Sequence, residues 1–209
     1  MKIQPIVEGH GDVAAFPVLL RRLVQEAEIR AVDIARPIRR PRHRLVAEGG
    51  VSQAVRLALL DPDCGAVLIV FDGDDDCPAD LGPTVQTWAT AAAGGTPCHV
   101  VLAYREYEAW FLAAIESLRG RRGVLIDAEP HPDPERPRGA KEQLETRMEP
   151  GATYLETTDQ PAFSALFSLP AAYSRSRSFR KLADFFGNLV RAMGHDVGVW
   201  PPAAWTGAS

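Results

Sequence analysis

"CGAVLIVFDGDDD", residues 64–76, carries six apolar residues in a row (66–71) into four aspartates within five positions. A continuous, β-branched run of this length, bounded by turn residues, predicts a strand buried on both faces of a parallel sheet. The aspartates pose a separate question. Carboxylates packed so closely repel one another unless water, a basic partner or a divalent cation offsets the charge.

Working outward from that strand, the spacing predicts three more. "KIQPIV" (2–7) reads as a first strand with Pro5 as the objection, "AVDIARPI" (31–38) as a second and "CHVVLAY" (98–104) as a fourth. Between them lie helical patterns. Val13, Phe16, Leu19, Leu20 and Leu23 recur at helical spacing behind Asp12, read as the N-cap, with Pro17 in about the first turn. Residues 49–61 give a second helix, 83–95 a third closed by glycine, and 106–120 a fourth ended by Gly120.

The order β-α-β-α-β-α-β-α predicts an α/β fold with a mainly parallel sheet of about four strands flanked by helices. Residues 1–120 form this core. Beyond them the pattern changes: 127–139 is a proline-rich loop, followed by short helices near 140–148 and 161–167 and a longer one over 178–193. Residues 121–209 are thus expected as a helical extension packed on the core, ending in a lip or tail over 198–209.

Composition narrows the function. The 209 residues carry a net charge of −4, so the chain is not a polycation that coats nucleic acid, and any such contact falls to local patches. Three widely spaced cysteines, Cys64, Cys77 and Cys98, argue against disulfides and a cysteine zinc site and for a reducing cytoplasm. No signal peptide and no apolar run long enough to cross a membrane is read in the sequence.

In an open parallel sheet, ligands gather beyond the carboxyl ends of the strands. Glu8 ends the first strand, Asp72 and Asp74 the third, and Glu106 and Glu108 follow the fourth. Asp72 and Asp74, two apart on extended backbone, are expected to face one way, and Glu8 joins them if the first and third strands are neighbours. Glu8, Asp72, Asp74, Asp76 and Glu106 then form a candidate site for one or two Mg²⁺ or Mn²⁺ ions, hard cations that favour oxygen ligands. His10, Asp12 and Glu108 stand in support.

The bland readings sit alongside. Asp72 and Asp74 also suit a turn, Asp75 and Asp76 a solvated loop, and Glu106 and Glu108 a helix N-terminus. "RPIRRPRHR" (36–44) places Arg39, Arg40, Arg42 and Arg44 on a proline-stiffened loop fit for phosphate contacts or merely solvated. Lys141 is a phosphate clamp or a surface lysine. "SRSRSFRK" (174–181) is a second basic patch, with Ser178 placed to cap a helix.

"IVEGHGD" (6–12) followed by "VLIVFDGDDD" (67–76) resembles the TOPRIM fold of topoisomerases, primases and overcoming-lysogenisation-defect nucleases. More narrowly, "REYEAWFLA" (105–113), Lys141 and "SRSFRKL" (176–182) look like a small TOPRIM-like bacterial family of uncharacterised function. The resemblance implies that Glu8 is metal-associated or a general acid/base, and that Asp72 and Asp74 bind metal. It implies catalysis on phosphodiester bonds of DNA or RNA, as a nuclease of a bacterial defence or DNA-processing system working with a separate ATPase. Two alternatives stand: a non-catalytic TOPRIM-like scaffold that binds a partner, and a phosphatase with Asp72 as nucleophile and Asp74 as general acid.

Overall fold

The computed structural model describes residues 1–206, so Gly207, Ala208 and Ser209 of the expected tail lie outside the described residues. Five parallel strands form one sheet. In chain order they are β1 (Lys2–Val7), β2 (Asp33–Ile34), β3 (Ile38–Arg39), β4 (Cys64–Asp72) and β5 (Cys98–Ala103). β1 pairs with β4 from Ile3↔Ala66 to Val7↔Val70, and β4 with β5 from Val67↔Cys98 to Asp72↔Ala103. β2 and β3 both pair with the other edge of β1. The α/β class and the mainly parallel sheet are therefore as the strand pattern requires, with five strands in place of four.

The extra strand comes from a split, and Pro5 accounts for it. The carbonyls of Met1, Ile3 and Val7 accept N–H groups from Asp33, Ala35 and Arg40, so odd-numbered β1 residues face the 33–40 segment. Pro5 is in that phase and offers no N–H there. The edge strand breaks at this point, and the buried Gln4 side chain bridges the break by donating to the carbonyls of Pro5 (3.0 Å) and Arg36 (2.8 Å). The single strand expected over 31–38 is thus two short pieces.

The helices are α1 (His10–Glu26), α2 (Arg42–Leu45), α3 (Glu48–Ala58), α4 (Pro78–Ala93), α5 (Ala109–Ala113), α6 (Ala140–Glu145), α7 (Glu156–Leu166), α8 (Leu169–Arg175), α9 (Arg177–Ala192) and α10 (Ala203–Thr206). Several boundaries correct the sequence reading. α1 begins three residues early, capped by Gly9, so Asp12 lies inside its first turn and Pro17 inside the helix. α4 starts at Pro78, a position where the missing N–H costs nothing, and closes at Gly94 with φ +58°. The helix expected over 106–120 is only α5 and a 3-10 turn at Ile115–Leu118. Those residues are buried almost all round, so no amphipathic stripe marks their ends.

Alternating strand residues feed two cores. Ile6, Val67, Ile69, Phe71, Val100 and Leu102 pack against α3 and α4 on one face. Ile3, Val7, Leu68, Val70 and Val101 share the other core with α1, α5, α9 and the aromatic group Tyr107, Trp110, Phe111, Phe163, Phe167 and Phe179. α7 packs along α1, and Arg22 of α1 donates to the carbonyls of Ser164 (2.9 Å) and Phe167 (2.8 Å). The C-terminal helices hence build one of the layers over the sheet. Among the described residues no helix is long and apolar enough to cross a membrane.

Candidate active site

Because β1 and β4 are adjacent and in register, their carboxyl ends place Glu8 beside Asp72. The segment after β5 crosses over them, and the Tyr107 N–H donates to Asp72 Oδ1 at 2.9 Å. Glu108, next in sequence, is buried; its Oε1 accepts the Tyr154 hydroxyl at 2.9 Å and its Oε2 has no partner. Asp12 enters from the first turn of α1, accepting from the Gly9 N–H (2.8 Å) and from Gln160 Nε2 of α7 (2.9 Å). These four carboxylates line a cavity of about 340 Å³ that is also walled by Arg39, Arg42, Lys141 and Glu156.

Burial and mutual repulsion dominate the electrostatics. Asp72 is pushed well above the usual carboxylate range by desolvation and then by Glu108, Asp12 and Glu8. Glu108 is raised to about 7, burial outweighing Lys141 and the Tyr154 hydroxyl. Desolvation also raises Glu8 against the pull of Arg42, and Asp12 against the hydrogen bonds from Gly9 and Gln160. Burial acts to lower Lys141, yet the field of Glu108 and the hydrogen bond to Glu156 raise it overall, so it stays a cation. The acids hold protons more tightly than free carboxylates, as is common where function needs a poised group.

Arg42 ties the neighbouring loop together. Its guanidinium donates to the carbonyls of Asp72 and of Gly73 (3.1 Å) and pairs with Asp74 (3.2 Å) and Asp76 (2.6 Å). It lies 5.8 Å over the Phe71 ring and 3.9 Å from Glu8 Oε2, an oxygen without a hydrogen-bond partner.

The expected site residues divide accordingly. Glu8, Asp72, Glu108, His10 and Asp12 come together at the cavity, with Arg39, Arg42 and Lys141. Asp74 does not join them: β4 ends at Asp72, Asp74 takes φ +47°, and the same-side rule for strand residues no longer applies. Asp74 and Asp76 face Arg42, and Asp75 pairs with Arg138 (2.9 Å) and Arg105 (3.5 Å). Glu106 turns away to accept the N–H groups of Gly139 (3.1 Å) and Lys141 (3.2 Å) at the start of α6. Arg44 is exposed outside the cavity, and Arg40 donates to the Arg39 carbonyl. Among the described residues, no three or more His, Cys, Asp or Glu side chains stand so as to hold a metal together.

Tyr107, Tyr154, Glu156 and Gln160 also serve the site, and no motif in the sequence marks them. Gly11 held a partial signal. A Cβ there would fall 2.0 Å from Gln160 Oε1, so the second glycine of "EGHGD" is what allows α7 to approach α1 and reach Asp12.

Fold and site define a parallel α/β protein with a carboxylate-rich cavity at the carboxyl ends of its strands. The chain belongs to the family described as Domain of unknown function (DUF4276), whose model matches residues 7–186. No curated protein and no solved structure matches it.

Proposed function

We propose that the protein is a TOPRIM-type, metal-dependent phosphodiester hydrolase acting on nucleic acid. The observation that carries the reading is the pairing of Glu8 with Asp72 at the ends of adjacent parallel strands, beside a cavity that also presents Arg39, Arg42 and Lys141. The donor set suits Mg²⁺ or Mn²⁺: Glu8 keeps a buried oxygen that accepts no hydrogen bond, with only Arg42 at 3.9 Å, and magnesium needs only one or two carboxylates, the rest of its shell being water and substrate phosphate. Glu8 and Asp72 would hold the ion, which supplies positive charge to stabilise the phosphoryl group in the transition state.

The chain's own groups do the rest. Arg39 and Arg42 supply positive charge at one side of the cavity and Lys141 at another, suited to positioning a phosphodiester. Glu108, raised to about 7, can give or take a proton near neutral pH. The segment carrying Tyr107 orients Asp72 through its N–H. The separate ATPase belongs to this proposal through the TOPRIM resemblance.

A second reading, a non-catalytic partner-binding scaffold, draws on Arg42, which already neutralises Asp74 and Asp76. Incubation with labelled single- and double-stranded DNA and RNA in Mg²⁺ or Mn²⁺ separates the two. The nuclease reading expects cleavage that stops on chelation, is lost in Asp72→Asn and Glu8→Gln, and falls on the order of 10²-fold in Glu108→Gln. Cleavage unchanged in Asp72→Asn, or a folded chain that neither cleaves any substrate nor takes up Mn²⁺, favours the scaffold.

A further inference from the structure

A second cavity, of about 730 Å³, opens beyond the carboxyl end of β5 and shares no lining residue with the first. Its wall holds four cations, Arg105, Arg136, Arg177 and Lys181, against two carboxylates, Asp133 and Glu135. Among the described residues, Glu135 forms no ion pair with them. It is buried at the N-terminus of α9, where it accepts the N–H groups of Arg177 (3.1 Å) and Ser178 (2.8 Å) and the hydroxyls of Ser176 (2.7 Å) and Ser178 (2.6 Å). The helix end is thus filled by the chain itself.

The cations are left over. Among the described residues Arg136, Arg177 and Lys181 have no carboxylate within ion-pair distance, whereas Arg105 pairs with Asp75. Arg177 and Lys181 are four apart on α9 and so share a face, and Arg136 reaches the same cavity from the proline-rich loop. Lys181 is half-buried, its ammonium 5.2 Å over the Phe185 ring, and desolvation lowers its pKa. A cation kept partly out of water with no anion beside it is costly unless a ligand supplies one. The remaining wall is apolar and aromatic, with Leu102, Pro78 and the partly exposed Tyr104 ring.

We propose that this cavity binds a small phosphorylated molecule of nucleoside-diphosphate size, its phosphates held by Arg136, Arg177 and Lys181 and its base set against Tyr104. A volume within the roughly 300–1,000 Å³ of small-molecule sites, with few convergent charges on an apolar wall, fits such a ligand. Charge-assisted contacts to phosphate oxygens supply affinity, and the aromatic wall favours a nucleotide over bare pyrophosphate.

Calorimetry on the full chain, in chelator so that no divalent ion bridges ligand to the carboxylate cavity, tests this with ADP, pyrophosphate and adenosine. ADP is expected to bind, pyrophosphate more weakly, and adenosine not at all. Arg177→Ala and Lys181→Met, the latter keeping the stem over Phe185, should each weaken ADP by about tenfold, while Asp72→Asn leaves it within about twofold. Circular dichroism confirms that each variant is folded. No binding of ADP or pyrophosphate below about 1 mM, adenosine binding equal to ADP, or ADP affinity unchanged in both α9 variants would overturn the proposal.

Discussion

Glu108 shows how one buried carboxyl sets a pH dependence. Its pKa rises from 4.5 to about 7, first because burial penalises the charged form. The unfolded chain releases this proton near 4.5 and the folded chain only near 7, so between these values the folded state binds more protons. Stability therefore falls as pH rises through that window, and the contribution is gone above 7. Gln at this position keeps an oxygen for the Tyr154 hydroxyl and cannot ionise. Metal-free Glu108→Gln should exceed the wild type by roughly 2–3 kcal/mol at pH 8, and the gap should close by pH 4.5, in urea unfolding at each pH. A gap that does not vary with pH would refute the assignment. At this scale the sequence was partly readable. Glu8 and Asp72 stand out because each directly ends a strand. Asp74 misled because it falls past the strand end, and Glu106 because the α6 N–H groups that claim it lie more than 30 residues away. Nothing in a run of five arginines marks Arg42 as the one that enters the acidic loop.

Single side chains join distant elements, and their removal should be costly. Glu135 accepts from four donors at the start of α9, two backbone N–H groups and the hydroxyls of Ser176 and Ser178. Glu135→Ala leaves buried donors unsatisfied and should lower stability by about 2–4 kcal/mol in urea unfolding; a loss under about 0.5 kcal/mol would contradict this role. Gly11→Ala places a Cβ 2.0 Å from Gln160 Oε1 and 3.0 Å from the Glu156 carbonyl, so the buried Gln160 side chain must swing off Asp12 and α7 must give by a few tenths of an ångström. The expected loss is about 1–3 kcal/mol by the same measurement, whereas an unchanged midpoint would mean that the helices are not held so closely. Elements were legible where pattern and burial agree. β4 announces itself as a continuous apolar run, and α9 as a long amphipathic stripe behind Ser176, which accepts from the Phe179 N–H at 3.0 Å. Ser178, read as the cap, instead accepts the Trp110 indole N–H at 2.9 Å. The split of β2 from β3 was hidden because it depends on which way Pro5 faces.

For the whole molecule, the boundary drawn at residue 120 marks a change of pattern more than a change of core. Phe163, Phe167, Phe179 and Phe186, all fully buried, share one apolar core with Trp110, Phe111 and the strands. A chain ending at residue 120 would expose that face and should lack a cooperative thermal transition by circular dichroism, while residues 1–206 should melt in one step; a cooperative melt of the short form would show an independent core. α7 also delivers Gln160 and Glu156 to the carboxylate cavity, so both halves of the chain build the site. The proposed uptake of a divalent cation by Glu8 and Asp72 is tested most directly by Mn²⁺ titration by calorimetry of wild type, Glu8→Gln and Asp72→Asn, each checked for folding by circular dichroism. Saturable binding by the wild type that is lost in both folded variants is the predicted result. Binding retained in both, or absent from the folded wild type at millimolar metal, would contradict it.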